Sequence, residues 1–135
     1  MPSACPAETL FLALDQGGHS SRALVFSASG TLVAAAQVPV ATHSPQPGWV
    51  EQDPAELLAS LRRAIAQAHA ALGVHASRVT AAGLATQRSN VVCWDRVSCV
   101  SLSPVLSWQD RRAQQWLERL PCAATQAKAG SLNRA

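Results

Sequence analysis

The sequence predicts an α/β domain, a mixed sheet flanked by helices and incomplete as a single domain. Three observations carry this expectation. Short β-rich runs joined by Gly turns open the chain. One strongly signalled amphipathic helix follows them. Beyond it, apolar runs alternate with polar breaks and lead into a second helical stretch.

The first strand is the apolar run 10–15, LFLALD, ending in an acid before Gly17-Gly18. Residues 22–27, RALVFS, form the second. Ser29-Gly30 turns the chain into a third strand over about 31–40. The spacing is that of an antiparallel meander. Residues 41–53 read as loop, because Pro45, Pro47 and Gly48 block regular structure. Asp53 is a good helix N-cap, Pro54 suits the first helical position, and Glu56 sits where a capping box places its acid. Leu57, Leu58, Leu61, Ile65 and Leu72 line one helical face, with Arg62, Arg63 and Gln67 opposite. Gly73 ends the helix in a left-handed conformation. The run 79–86, VTAAGLAT, predicts a strand covered on both faces. Residues 91–95 and 105–108 predict a hairpin, and 109–120 a second helix with Trp116, Leu117 and Leu120 on its apolar side. Residues 1–8 read as an N-terminal tail and 121–135 as a disordered one.

Composition narrows the function classes. At 48% hydrophobic and 14% charged over 135 residues, the chain has the makings of a core. Much of that apolar content is Ala and only 4% is aromatic, so the expected core is thin. The formal charge of +3 is spread thinly, with no basic stripe interleaved with aromatics. Nucleic-acid binding is not expected. No segment has the roughly 18 apolar residues of a membrane span, and the first ten residues have no secretory pattern. Cys5, Cys93, Cys99 and Cys122 form no C-x-x-C and read as free thiols in a reducing cytoplasm.

Three segments hold groups suited to chemistry. Asp15-Gln-Gly-Gly-His-Ser-Ser-Arg22 places an acid at a strand tip beside two glycines, His19, Ser20 and Ser21. Glycines let backbone approach phosphate oxygens, hydroxyls donate to them, and Arg22 offsets charge. Asp15 suits Mg²⁺, directly or through water. Taken alone, the same residues are those of an ordinary hairpin turn. It is neither a P-loop nor a dinucleotide fingerprint, since G-K-[ST] is missing and no helix follows the glycines. Gln87-Arg88-Ser89-Asn90 offers polar side chains at a strand end, for hydroxyl groups or simply for a polar turn. Trp108-Gln109-Asp110-Arg111-Arg112 sets an aromatic face beside polar groups. A core Trp with a solvated helix start is the plainer reading of that segment.

Together these segments resemble the FGGY carbohydrate kinases, and within them the glycerol kinase group. The resemblance rests on LALDQGGHSSRALVF, then PQPGWVEQDP at 45–54, TQRS at 86–89, VVCWD at 91–95 and WQDRR at 108–112. Order and spacing agree over about residues 9–120. The resemblance implies an actin-like, ribonuclease-H-like fold and the N-terminal, sugar-binding side of a two-domain cleft. It implies ATP and Mg²⁺ in the complete enzyme, with γ-phosphoryl transfer to a substrate hydroxyl. Asp15 corresponds to the acid near Mg²⁺, Gly17, Gly18, His19 and Ser20 to the phosphate-facing turn, and Arg22 to the basic residue after it. Arg88 corresponds to the arginine that binds substrate hydroxyls, and Trp108 to the aromatic on the carbon skeleton.

Departures shape the expectation further. Gly18-His19 stand where glycerol kinases usually have Thr-Thr. Ser89 stands where an acid usually grips substrate hydroxyls, which argues for a different polyol or sugar. The stretch after Trp94-Asp95 lacks the usual glycine, so a strained hairpin is expected. No residue matches the family's catalytic Asp, and the second, ATP-binding domain lies beyond the length of this chain. The expectation is an enzyme fragment inactive alone, self-associating or pairing with a missing second domain. The alternative is a non-catalytic ligand- or partner-binding module with a kinase-derived fold.

Overall fold

The computed structural model describes residues 9–118. β1 (Leu10–Gln16), β2 (Ser20–Ser27) and β3 (Leu32–Pro39) form the expected antiparallel meander. A short β4 (Glu51–Gln52) precedes α1 (Pro54–Leu72). A 3-10 turn over Gly73–Arg78 then delivers the chain to β5 (Val79–Thr86), which runs parallel to β1. The sheet order is β3-β2-β1-β5, so the chain forms a mixed sheet with the crossover helix on one face.

The start of α1 follows its sequence signals, with one change. Asp53 accepts from the Ala55 N–H at 2.8 Å, and Pro54 occupies the first turn. Glu56 does not close a capping box. Its Oε1 accepts from the Ala41 N–H at 2.9 Å, which ties the helix start to the chain leaving β3. At the other end Gly73 has φ 55° but ψ −126°, outside the left-handed helical region. Its N–H still reaches the carbonyls of Ala70 and His69.

The helix faces the sheet through small residues, not through the leucine stripe. Ser60, Ala64, Ala68 and Leu72 are its buried positions, while Leu58 is 50% exposed. Leu57, Leu61 and Ile65 are half-buried flanks. Small side chains at i, i+4 spacing let the helix backbone lie close over β2 and β3. Ser21 and Ser60, both fully buried, join sheet to helix through hydroxyls 2.6 Å apart. Ser60 Oγ donates to the Leu57 carbonyl, so Ser21 is the donor between the two. The core of Leu10, Ala23, Val25, Ala34, Val38, Ala64, Ala68 and Leu72 is half alanine, as thin as the composition implied.

The expectation that β5 is covered on both faces fails. From Thr80 to Thr86 every residue is exposed, Leu84 by 57%. α1 packs on β2 and β3, at the far side of the sheet, and β5 is an edge strand beside β1 alone. Phe11, at 42% exposed, shares this bare side.

The C-terminal part is less regular than expected. The loop 41–53 contains β4, which pairs with β6 (Val105–Leu106). The run 91–95 contributes only bridges, Val91 to Leu106 and Trp94 to Ser101, within a true hairpin arm. α2 (Gln114–Glu118) starts five residues later than the expected 109, because Asp110 and Arg112 are drawn into side-chain contacts before it. Leu120 and both tails lie outside the described residues.

The hairpin turn carries the strain its missing glycine implied. Asp95 Oδ1 accepts from the Val97 and Ser98 N–H groups and the Ser98 hydroxyl. The Ser98 backbone bond, chiefly, holds the Asp95 carboxyl below its ordinary range. Cys99 then takes φ 58°, a conformation that suits glycine. Replacing Cys99 with Gly is expected to stabilise the chain by about 1 kcal/mol. Urea unfolding measures this, and an unchanged or lower midpoint would count against a strained turn.

Candidate functional site

Parallel pairing of β1 and β5 decides where the candidate residues lie. Gln16 is in register with Thr86, so both strands end at the same sheet edge. The turn after β1 and the segment after β5 therefore emerge side by side. In open α/β sheets, the carboxyl ends of the strands are where ligands bind.

On the first side, Asp15 is half-exposed and opposite Arg22, whose Nη1 lies 3.4 Å from Oδ2. So exposed a pair adds little stability. Gly17 and Gly18 serve through their lack of bulk, not through a special φ. A Cβ on Gly17 would meet the Ser20 carbonyl at 3.1 Å, and one on Gly18 the Gln87 Oε1 at 3.1 Å. The Gly17 N–H donates to the Ser20 carbonyl, and the Val40 N–H to that of His19, closing the turn. His19 is exposed at the tip. Ser20 is buried, its hydroxyl accepting from Gln37 Nε2 at 3.2 Å. Ser21, read from the sequence as a phosphate donor, is instead consumed by the helix contact described above. Gln16 Nε2 is a buried donor without a partner among the described residues.

On the second side, Arg88 and Ser89 are exposed, and Ser89 takes φ 63°. Asn90 Oδ1 accepts from the Trp108 N–H at 2.9 Å, which brings the Trp108 junction to the end of β5. Trp108 itself is 61% exposed. The three segments thus meet along one rim: Gly18 abuts Gln87, and Asn90 holds Trp108. It is an open rim. A hollow of about 510 Å³ between His43, Glu51 and Leu102, and a groove of about 360 Å³ along Phe11, Phe26 and Leu84, include none of Asp15, Arg88 and Trp108.

A clasp beneath Trp108 went unread in the sequence. The Arg112 guanidinium lies 3.8 Å over the Trp49 ring. It donates to Glu51 Oε1 at 2.6 Å and to Asp110 Oδ2 at 2.8 Å. Asp110 Oδ2 also accepts from the Val50 N–H at 2.7 Å. Mainly through the Arg112 bond, the Asp110 carboxyl is lowered to about 2, and the guanidinium is held more firmly protonated. The Ser107 N–H donates to the Val50 carbonyl and the Arg111 N–H to that of Gly48. The segments 48–51 and 107–112 are therefore one structural unit. Their signal in the sequence was the pair of motifs PGWVE and WQDRR, 60 residues apart at Val50 and Asp110.

Among the described residues no three His, Cys, Asp or Glu side chains converge as a metal cluster. Asp15 is the accessible carboxylate of the rim, facing Arg22 Nη1 at 3.4 Å. That fits Mg²⁺, which keeps several waters and commonly takes one or two carboxylates together with substrate phosphates.

The N-terminal domain profile of the FGGY family of carbohydrate kinases matches residues 10–134. The chain belongs to the FGGY carbohydrate kinase family. A glycerol kinase of Aromatoleum aromaticum is 47% identical over 109 residues, 81% of this chain and 22% of that protein. One of Verminephrobacter eiseniae is 43% identical over 132 residues, 92% of this chain and 25% of that protein. Among solved structures, a xylulose kinase from Rhodospirillum rubrum superposes with TM-score 0.77 at 28% identity, covering 82% of this chain and 22% of that one. A Plasmodium falciparum glycerol kinase solved with ADP shares the fold at TM-score 0.72 and 22% identity, covering 86% and 23%. This FGGY chain therefore spans about a fifth to a quarter of the length of its relatives. Its fold is the actin-like one of sugar kinases, represented by part of a domain. No helix among the described residues is long and apolar enough to cross a membrane.

Proposed function

We propose that this chain supplies the hydroxyl-binding side of an ATP-dependent carbohydrate or polyol kinase. The observation that supports the reading is the shared rim. Exposed Arg88 and Trp108 lie at the end of β5, beside the glycine turn at the end of β1. Arg88 has no hydrogen bond or ion pair to another described residue, so its five donors are available to substrate hydroxyls. Trp108 offers an aromatic face to the carbon skeleton. Ser89, neutral and short, accepts or donates where an acid would only accept, which favours a substrate other than glycerol. The turn Gly17, Gly18, His19 and Ser20, with Arg22, faces the nucleotide phosphates, and Asp15 faces Mg²⁺. ATP supplies the phosphoryl group, and this chain's residues position its acceptor and screen charge.

No residue of this chain is assigned as the base that takes the hydroxyl proton. A second domain completes the cleft, either from further sequence or from a partner chain, and the small-molecule substrate binds between the two. The cytoplasm, with its ATP and its reducing poise for Cys93 and Cys99, is the proposed location. Nucleic acid and membranes are not proposed partners.

Thermal-shift measurements with millimolar glycerol, xylitol and D-xylulose test the reading. A ligand at ten times its Kd raises stability by about 1.4 kcal/mol, roughly 5 °C for a domain of this size. The expected result is a rise for at least one of them, lost in Arg88→Ala, and no turnover in a coupled ATP assay of the chain alone. Robust turnover by the chain alone, or no shift with any polyol or sugar, would contradict it.

A further inference from the structure

Gln52 is among the most buried side chains, at 2% exposure, yet it is polar and lies outside the rim. Its amide has a defined orientation. Nε2 donates to the Gly18 carbonyl at 2.8 Å, with Thr42 Oγ1 at 3.5 Å. Oε1 accepts from Gln87 Nε2 at 3.2 Å. A carbonyl only accepts, so the Gly18 contact fixes which end of the amide is nitrogen. Gln87 in turn sits against Gly18, its Oε1 only 3.1 Å from where a Cβ would lie. One buried amide therefore spans the turn after β1 and the first residue after β5.

We propose that Gln52 is a positioning residue that couples the glycine turn to the Gln87–Asn90 segment, so that the phosphate side and the hydroxyl side of the rim hold one relative geometry. The naming of the two sides rests on the function proposed above; the coupling does not. A buried amide with both ends satisfied is favourable, and losing either partner leaves a desolvated polar group unpaired. Distortion of one turn is thus opposed by the other. Gly17 and Gly18 have no side chains to brace the turn, so beyond the Gly17 and Val40 backbone bonds the Gly18 carbonyl is held by this amide. Gln52 lies on β4, the strand that also pairs with β6 just before Trp108. The same short strand therefore reaches all three candidate segments.

Amide hydrogen exchange on the ligand-free chain tests the coupling, and absence of polyol binding would leave that measurement untouched. The reporters are the Gly17 and Val40 amides, which close the glycine turn. Gln52→Glu keeps the acceptor for Gln87 but sets a carboxylate against the Gly18 carbonyl. It is expected to speed exchange of both reporters about tenfold or more, with β2–β3 ladder amides changing less than about twofold. Gln87→Met, which leaves the Gly18 carbonyl bonded to Gln52, is expected to speed the same reporters by about threefold. In a Gln52→Met background, Gln87→Met is expected to add nothing, since the route is already cut. Unchanged reporters in Gln52→Glu, a uniform rise across the whole sheet, or additive effects in the double variant would overturn the proposal. If Gln52→Glu does not fold, the response of the glycine turn to Gln87→Met decides.

Discussion

Asp110→Ala is expected to lower stability by about 2–3 kcal/mol and to free the Trp108 junction. The substitution strips an acceptor from the Val50 N–H and removes the carboxylate that meets Arg112 through two nitrogens. Glu51 remains as a partner for the guanidinium, so the loss is less than that of isolating a charge. The same carboxyl imposes a pH dependence. Its value falls from the ordinary 3.8 to about 2 in the folded chain. A depressed carboxyl stabilises the fold above its unfolded value, and that share disappears as pH drops from about 4 toward 2. Urea unfolding at stepped pH should show this acid-side loss in the parent chain and a smaller one in Asp110→Asn. Equal acid sensitivity in the two would mean that the clasp is not the titrating unit.

Ala64→Leu is expected to cost about 3 kcal/mol. Ala64 is fully buried where α1 lies over the meander, and its neighbours on that face are Ser60 and Ala68. A leucine there must lift the helix, which also pulls apart the Ser21–Ser60 hydroxyl contact. Leu58→Ala is the matched control. Leu58 is half-exposed, so its truncation is expected to cost no more than about 0.5–1 kcal/mol. Urea midpoints of the two variants give the answer. A larger loss from Leu58→Ala would mean that the leucine stripe, not the small-residue stripe, faces the sheet.

That contrast marks where the sequence was legible. The meander, the Asp53-Pro54 helix start and β5 follow from local signals, because turn glycines, caps and apolar runs act within a few residues. The facing of α1 does not, since Leu57, Leu58 and Leu61 satisfy a hydrophobic pattern while Ala64 and Ala68 satisfy a distance to the sheet. The exposure of β5 was equally hidden. An apolar run reports that a strand wants cover, not that cover is present. For the site, the segments containing Asp15, Arg88 and Trp108 were visible as strand-end motifs. Their convergence required the parallel β1–β5 pairing, which no local signal states. Gln52, and the link from Arg112 to Glu51, were missed because Gln87 and Glu51 lie 35 and 61 residues away in sequence. Ser21 was misread for a related reason: a hydroxyl next to a glycine turn looks available until a helix 39 residues on claims it.

The most direct test is an NMR titration of the ligand-free chain with xylitol, D-xylulose and glycerol in turn, following backbone and Trp side-chain N–H signals. If one hydroxylated carbon chain is gripped at the rim, saturable shifts will centre on Gln87–Asn90 and Ser107–Gln109, and Arg88→Ala will abolish them without altering the remaining spectrum. Shifts that saturate elsewhere on the chain, or that persist unchanged in Arg88→Ala, would contradict the account.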